Sequence, residues 1–273
     1  MSDFVAFTGT VYGRRVHLAG TWFDAVTEEA VAERVLAALE RGEGGRIITP
    51  NVDIMRLATG RGLRAAEVRG FLDDANLVVA DGMPLVWASR IGRSPLPERV
   101  TGSGLIWTLS AALGRANRSV YLLGGSPPRS DSGMDGAVKA ASVLASACPG
   151  LRVAGQVAPP FGFDLDPEGC ARVYTDVIEA KPDLVFVGLG FPKQERVISD
   201  LRAELPFTWF LGCGAAIGFV AGELHRAPGW MQRSGLEWAH RLAQEPGRLA
   251  GRYLVRDMPY AVRLLAGAAL RRH

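Results

Sequence analysis

Leu184-Val185-Phe186-Val187 leads directly into Gly188-Leu189-Gly190-Phe191-Pro192-Lys193-Gln194-Glu195. Four consecutive apolar residues read as a buried strand. Two glycines then bracket its end, and a proline follows where the first turn of a helix would begin. Gln194 and Glu195 would be held at that helix's entrance. An α/β protein offers backbone N–H groups and a few polar side chains to a ligand in this way, at the carboxyl edge of its sheet. The same residues also make an ordinary strand-to-helix turn, so the stretch speaks for the fold before it speaks for a function.

Working outward, the arrangement recurs. Strands are expected over 46–49 before Pro50-Asn51, over 77–80 before Asp81-Gly82-Met83-Pro84, and over 119–123 before Gly124-Gly125. Two more are expected over 151–155, and over 207–211 before Gly212-Cys213-Gly214. Helical patterns separate them, over about 28–38 with Thr27 as N-cap, 52–58, 84–90, 105–113, 134–147, 167–180 and 192–203. Residues 1–25 suggest a small hairpin-like entry, and 126–133 a polar loop. Apolar strands alternating with helices predict a Rossmann-like α/β fold, a mostly parallel sheet with helices on both faces. Beyond Gly222 the strands stop. Three helical stretches remain, about 234–244, 246–255 and 258–271, broken at Pro246 and Pro259 and forming a C-terminal helical appendage.

The chain's 273 residues, 48% hydrophobic and 22% charged, suffice for a full core and exclude a disordered protein. Three widely spaced cysteines, with no CxxC pair, argue for a reducing compartment and against a zinc site. No secretory signal is read at the N-terminus, and no run approaches the ~20 apolar residues that span a bilayer. The net charge of +3 is unevenly divided. Residues 224–273 hold nine arginines, no lysine and three acids, or +6, which leaves −3 for residues 1–223. That asymmetry predicts two parts, a catalytic domain 1–223 and a basic appendage 224–273 facing an anionic surface or ligand.

Strand ends in one parallel sheet share an edge, so Thr49, Asn51, Asp81, Gly124, Gly125 and Gln194 can converge although distant in sequence. Asp81 is the strongest candidate. A carboxylate after a buried strand can face a cleft, where partial desolvation raises its proton affinity and suits it to act as a general base. An aspartate in that place can equally cap the following helix. Arg99, just before a helix, could stabilise a phosphate leaving group or be an ordinary surface arginine. Thr49 and Asn51 could hydrogen-bond a sugar or base, or cap their turn. No G-x-G-x-x-G or G-x-x-x-x-G-K-[ST] is found, the histidines are scattered and no Asp-x-Asp pair occurs. A site without metal or cofactor is expected, and no nucleic-acid-binding pattern accompanies the charge.

An ordered set of motifs then resembles the WecG/TagA/CpsF family of inverting glycosyltransferases. Its members here are Thr49-Pro50-Asn51, Ala80-Asp81-Gly82, Glu98-Arg99-Val100-Thr101-Gly102, Leu122-Leu123-Gly124-Gly125 and the opening stretch 188–195. They continue through Arg226-Ala227-Pro228, Gly235-Leu236-Glu237-Trp238 and 241–248, covering roughly residues 45–255. The resemblance implies transfer of a sugar from a UDP-sugar to a polyprenyl-diphosphate-linked sugar, in bacterial surface polysaccharide or wall polymer synthesis. It implies Asp81 as catalytic base, Arg99 steadying the departing diphosphate, and Thr49, Asn51 and Gln194 around the sugars. It also implies that Arg241, Arg248 and Arg252 belong to an appendage that docks on an anionic membrane and closes over the nucleotide. The protein would then be cytoplasmic and peripheral at the inner face of the cell membrane; a homo-oligomer is compatible with the sequence but not specified by it. The family often has a second glycine where this chain has Met83-Pro84, and residues 2–26 and 255–273 match little of it. Two other readings of the residues stand beside this one: a nucleotide-cofactor oxidoreductase on the same kind of sheet, and a non-enzymatic membrane-surface adaptor. The identity of the sugar is not legible.

Overall fold

Residues 13–128 and 134–270 are described by the structure, a computed structural model. The first twelve residues and 129–133, and with them parts of the expected entry and polar loop, lie outside the described residues. β1 (Arg15–Leu18) and β2 (Thr21–Asp24) pair antiparallel as a separate two-stranded sheet. Ala19 and Gly20, both at positive φ, make the two-residue turn whose twist matches the strands.

The main sheet contains β3 (Gly45–Ile48), β4 (Leu77–Val78), β5 (Ser119–Gly124), β6 (Arg152–Val157), β7 (Leu184–Gly188) and β8 (Trp209–Gly212). Their spatial order is β4-β3-β8-β7-β5-β6, and every pairing is parallel. The apolar runs are continuous because both faces are covered. Val120, Leu122, Leu184, Phe186 and Leu211 enter one core with the helices Glu28–Glu40, Gly102–Arg115 and Gly136–Ala147. Tyr121, Leu123, Val185, Val187 and Phe210 point oppositely, onto the helices Pro167–Ala180 and Lys193–Glu204. The short β4 would leave an edge open, but the hairpin covers it: Asp24 Oδ2 accepts the Val78 N–H at 2.9 Å.

Several elements depart from expectation, among them the short helices Ala216–Val220 and Gly229–Ser234. The helix Leu63–Asp73 had no counterpart, because it begins at Gly62 without a side-chain cap and opens on an exposed leucine. The proline at 259 does not interrupt the C-terminal segment. Pro246–Ala250 continues through a π-helical stretch, Gly251–Asp257, into Met258–Leu270. Pro259 lacks an N–H for the preceding turn, and the wider winding just before it accommodates the loss. Tyr260, Leu264, Leu265 and Ala268 of this segment pack on the core formed by Val68, Phe71, Leu85 and Ala88.

Candidate active site

Parallel pairing carries the ends of β3 and β4 to the same edge, and the ladder continues beyond both strands. The Val79 N–H donates to Ile48 O and the Asp81 N–H to Pro50 O, each at 3.0 Å. Asp81 is thereby fixed beside Asn51. The helix Met83–Ile91 takes Gly82 as its N-cap and receives no side-chain cap bond, so the Asp81 carboxylate is not used for capping. It is half-buried, and among the described residues no hydrogen bond reaches it. Burial pushes its pKa up to about 7, against the opposing pull of Arg99; Glu237 adds to the rise, while Arg241 and Arg226 reduce it. A half-protonated carboxylate at neutral pH, with three guanidiniums near enough to act on it, is suited to accept a proton.

Arg99 owes its place to the loop that carries it. The Val100 N–H donates to Ala80 O at 3.0 Å, tying the loop to the residue before Asp81. Glu98 Oε1 accepts the Glu28 N–H at 2.7 Å, capping one helix. Reciprocally, Glu28 accepts from the Thr101 N–H at the start of another, and from the Thr108 hydroxyl farther along it. Thr101 caps that second helix through the Gly104 N–H at 2.9 Å. Burial raises the Glu28 pKa, and the nearby Glu98 adds to the rise. Within this clamp the Arg99 guanidinium donates to Glu237 Oε2 at 3.1 Å, with both side chains about 85% buried.

The other candidates divide. Thr49 is buried at the end of β3, and Asn51 caps the helix Val52–Ala58 by accepting the Ile54 N–H. Gly124 and Gly125 have positive φ, and a Cβ on Gly124 would lie 2.5 Å from Gly188 O. Close backbone approach thus accounts for that glycine without a ligand. Gln194 reaches the same edge but is turned inward. It is 5% exposed, its Oε1 accepts the Gly214 N–H at 3.0 Å, and its Nε2 donates to Glu195. Glu195 in turn binds the wholly buried Arg46 at 2.6 Å, as a strut between helix and sheet. A Cβ on Gly212 would strike the Gln194 amide at 2.5 Å, which ties the β8 turn to this strut.

The C-terminal segment folds back over the edge. Gly235, at positive φ, lies against Met83 and Trp87, and Arg241 comes close enough for its charge to be felt at Asp81. Arg252 is held elsewhere, by Asp53 at 3.0 Å and Asp257 at 3.5 Å, in a network that includes Arg56. Arg248 lies in the helix Pro246–Ala250, and its side chain is outside the described residues. Glu237, Arg226, Glu28 and Glu98 were not singled out from sequence. Three of them stand inside quoted motifs, but their partners are 70 or more residues away. Among the described residues no group of three or more His, Cys, Asp or Glu is set to hold a metal ion.

Residues 16–273 match the Glycosyl transferase WecG/TagA/CpsF family. Among curated proteins the chain is similar to an N-acetylglucosaminyldiphosphoundecaprenol N-acetyl-beta-D-mannosaminyltransferase of Bacillus subtilis (strain 168). The identity is 29% over 177 residues, which are 65% of this chain and 64% of that protein. A protein of the same name from Bacillus spizizenii (strain ATCC 23059 / NRRL B-14472 / W23) is 28% identical over 218 residues, covering 77% and 75% respectively. The chain thus spans just under two thirds of the first relative's length.

Proposed function

Because the chain belongs to the WecG/TagA/CpsF glycosyl transferase family, we propose that it transfers a sugar from a UDP-sugar to a polyprenyl-diphosphate-linked sugar, with inversion at the anomeric carbon. The observation that carries the reading is Asp81, lifted to about 7 and set among Arg99, Arg226 and Arg241. The acceptor hydroxyl oxygen attacks the anomeric carbon and its proton passes to Asp81. The bond to the leaving oxygen breaks on the opposite side, and UDP departs with the electron pair. Arg99 meets the charge developing on the diphosphate, exchanging Glu237 for it. Thr49 and Asn51 border the sugars. Gln194 acts from behind the wall, holding the Gly214 N–H in place. The relatives' names point to N-acetylmannosamine as donor sugar and an N-acetylglucosaminyl diphosphoundecaprenol as acceptor, and we adopt both as the first pair to test.

Docking on an anionic membrane belongs to the same proposal. The inner face of Met258–Leu270 packs on the domain, while Val255, Met258 and Val262 form an exposed apolar stripe at helical spacing, with Arg256 and Arg263 alongside. An apolar stripe flanked by arginines suits a helix lying in the interface of a bilayer. No helix among the described residues is long and apolar enough to cross one.

The test is a panel of UDP-sugars assayed by UDP release with a short-chain polyprenyl-diphosphate-linked N-acetylglucosamine. Turnover that needs both substrates is expected. Tight binding of NAD(P) or flavin, with no binding of UDP, would sink the transferase reading in favour of an oxidoreductase.

A further inference from the structure

Three guanidiniums act on Asp81, but they are not in the same state. Arg99 is neutralised by Glu237. Arg226 is not neutralised: among the described residues no carboxylate lies within ion-pairing distance of it. Its Nη1 makes one long bond, 3.4 Å, to Ser103 O, and its Nε–H is buried with no acceptor. A buried donor left unmet is costly, and a guanidinium serving only to balance charge would close on a carboxylate. Arg226 is instead near enough to both Asp81 and Glu28 to lower their pKa values, and is bonded to neither.

What it stands beside is the start of the 14-residue helix Gly102–Arg115. Thr101 takes the Gly104 N–H, but among the described residues no hydrogen bond takes the N–H of Gly102 or Ser103. A Cβ on Gly102 would lie 3.0 Å from Cys213 Cα, so glycine lets this helix begin against the turn after β8. Glu28 occupies the flank of the helix start, through Thr101 and Thr108, and leaves those two donors untouched.

From this we propose that Arg226, with the N–H groups of Gly102 and Ser103, binds a phosphate of a substrate pyrophosphate group. A helix start and an unpaired guanidinium are both suited to an anion. The inference rests on the transferase reading for the identity of the substrate. The donor and the acceptor both carry a diphosphate, so either could supply the group.

The experiment is calorimetric binding of inorganic pyrophosphate, UDP and a short-chain polyprenyl diphosphate to the full chain and to R226K and R226Q. Loss of a charge-assisted contact of this kind should weaken pyrophosphate on the order of 10- to 100-fold. It should weaken one of the two substrates similarly: a loss confined to UDP places Arg226 on the donor, and one confined to the lipid diphosphate places it on the acceptor. Unchanged affinities in both variants, or a wild-type chain that does not bind pyrophosphate, overturn the proposal. A wild-type chain that binds pyrophosphate through Arg226 but neither UDP nor the lipid diphosphate would retain the anion site and overturn the transferase reading instead. R226K keeps the charge facing Glu28 and Asp81 and is the more conservative variant. If both variants melt too low to assay, phenylglyoxal modification of the wild-type chain decides: pyrophosphate protecting Arg226 supports the site, and no protection refutes it.

Discussion

Replacing Asp81 with asparagine should cost activity and raise stability together, and the two effects have one cause. The Asp81 pKa rises from 3.8 to about 7 on folding because burial outweighs the attraction of Arg99, Arg241 and Arg226. Between those values the folded chain holds a proton that the unfolded chain has released, so folding becomes less favourable as pH rises from about 4 towards 7. The full difference corresponds to roughly 4 kcal/mol. Because the carboxylate keeps some contact with solvent, about 1–2 kcal/mol is a fairer expectation. Asparagine is nearly isosteric with the protonated acid and never ionises. At pH 8, D81N should therefore melt higher, by about 2–8 °C for a chain of this size. The gap should close towards pH 4, where the wild-type aspartate is protonated too. Transfer, followed by UDP release, should fall 100-fold or more in the variant. In the wild type it should fall to about a tenth of its plateau at pH 6, one unit below the carboxylate's pKa. A D81N protein that melts lower than wild type at pH 8, or that transfers at near-native rate, would refute the reasoning.

Three further outcomes follow from the same geometry. E98A removes the acceptor of the Glu28 N–H; it should cost about 1 kcal/mol in thermal melts and slow transfer on the order of tenfold by loosening Arg99, whereas E98Q, which keeps an acceptor oxygen, should retain most of both. E195Q weakens a pair in which Arg46 and Glu195 are 0% and 1% exposed; because Arg46 keeps Asp74 at 2.9 Å, a loss of about 1–3 kcal/mol is expected, read as a melting point lower by about 2–12 °C. The double variant V255S/V262S alters only exposed side chains; it should leave turnover of a soluble acceptor near wild type while reducing co-sedimentation with vesicles rich in anionic lipid, and unchanged co-sedimentation would remove the stripe from the docking reading.

The strands were legible because a parallel sheet covered on both faces demands unbroken apolar runs, and Leu184–Val187 and Val120–Leu123 are such runs. Asp81 was legible for a related reason: a carboxylate directly after a buried strand has few places to go except the edge. Whether Asp81 caps the next helix was not legible, since it depends on whether Gly82 or Asp81 takes the cap position. Gln194 and Glu195 are adjacent and both polar. Nothing in their order announces that Arg46, 149 residues away, draws Glu195 inward and that Gln194 follows to hold Gly214. Arg252 shows the limit most plainly. Its charge pattern reads as free and basic, but Asp53 and Asp257 claim it, and Asp53 comes from the opposite end of the chain. Pairing of that kind is a tertiary fact.

The same distinction between paired and unpaired charge bears on how the proposed site works. Arg99, Arg226 and Arg241 face Asp81 and Glu237, and Asp81 carries only part of a charge near neutral pH. Asp81 therefore leaves part of the guanidinium charge around it unmatched, which favours an entering diphosphate and disfavours leaving Glu237 beside it. Glu237 can be displaced from Arg99 only by moving its own side chain or the helix Glu237–Gln244 that carries it. That helix also carries Arg241, and it leads through Pro246–Ala250 into the segment bearing the exposed apolar stripe. On the proposed reading, an anion that takes Arg99 from Glu237 and a bilayer that takes the stripe from water act on one continuous piece of chain. Linkage then requires the effects to be reciprocal: vesicles that favour the displaced pose should tighten UDP binding by the same factor by which UDP tightens vesicle binding.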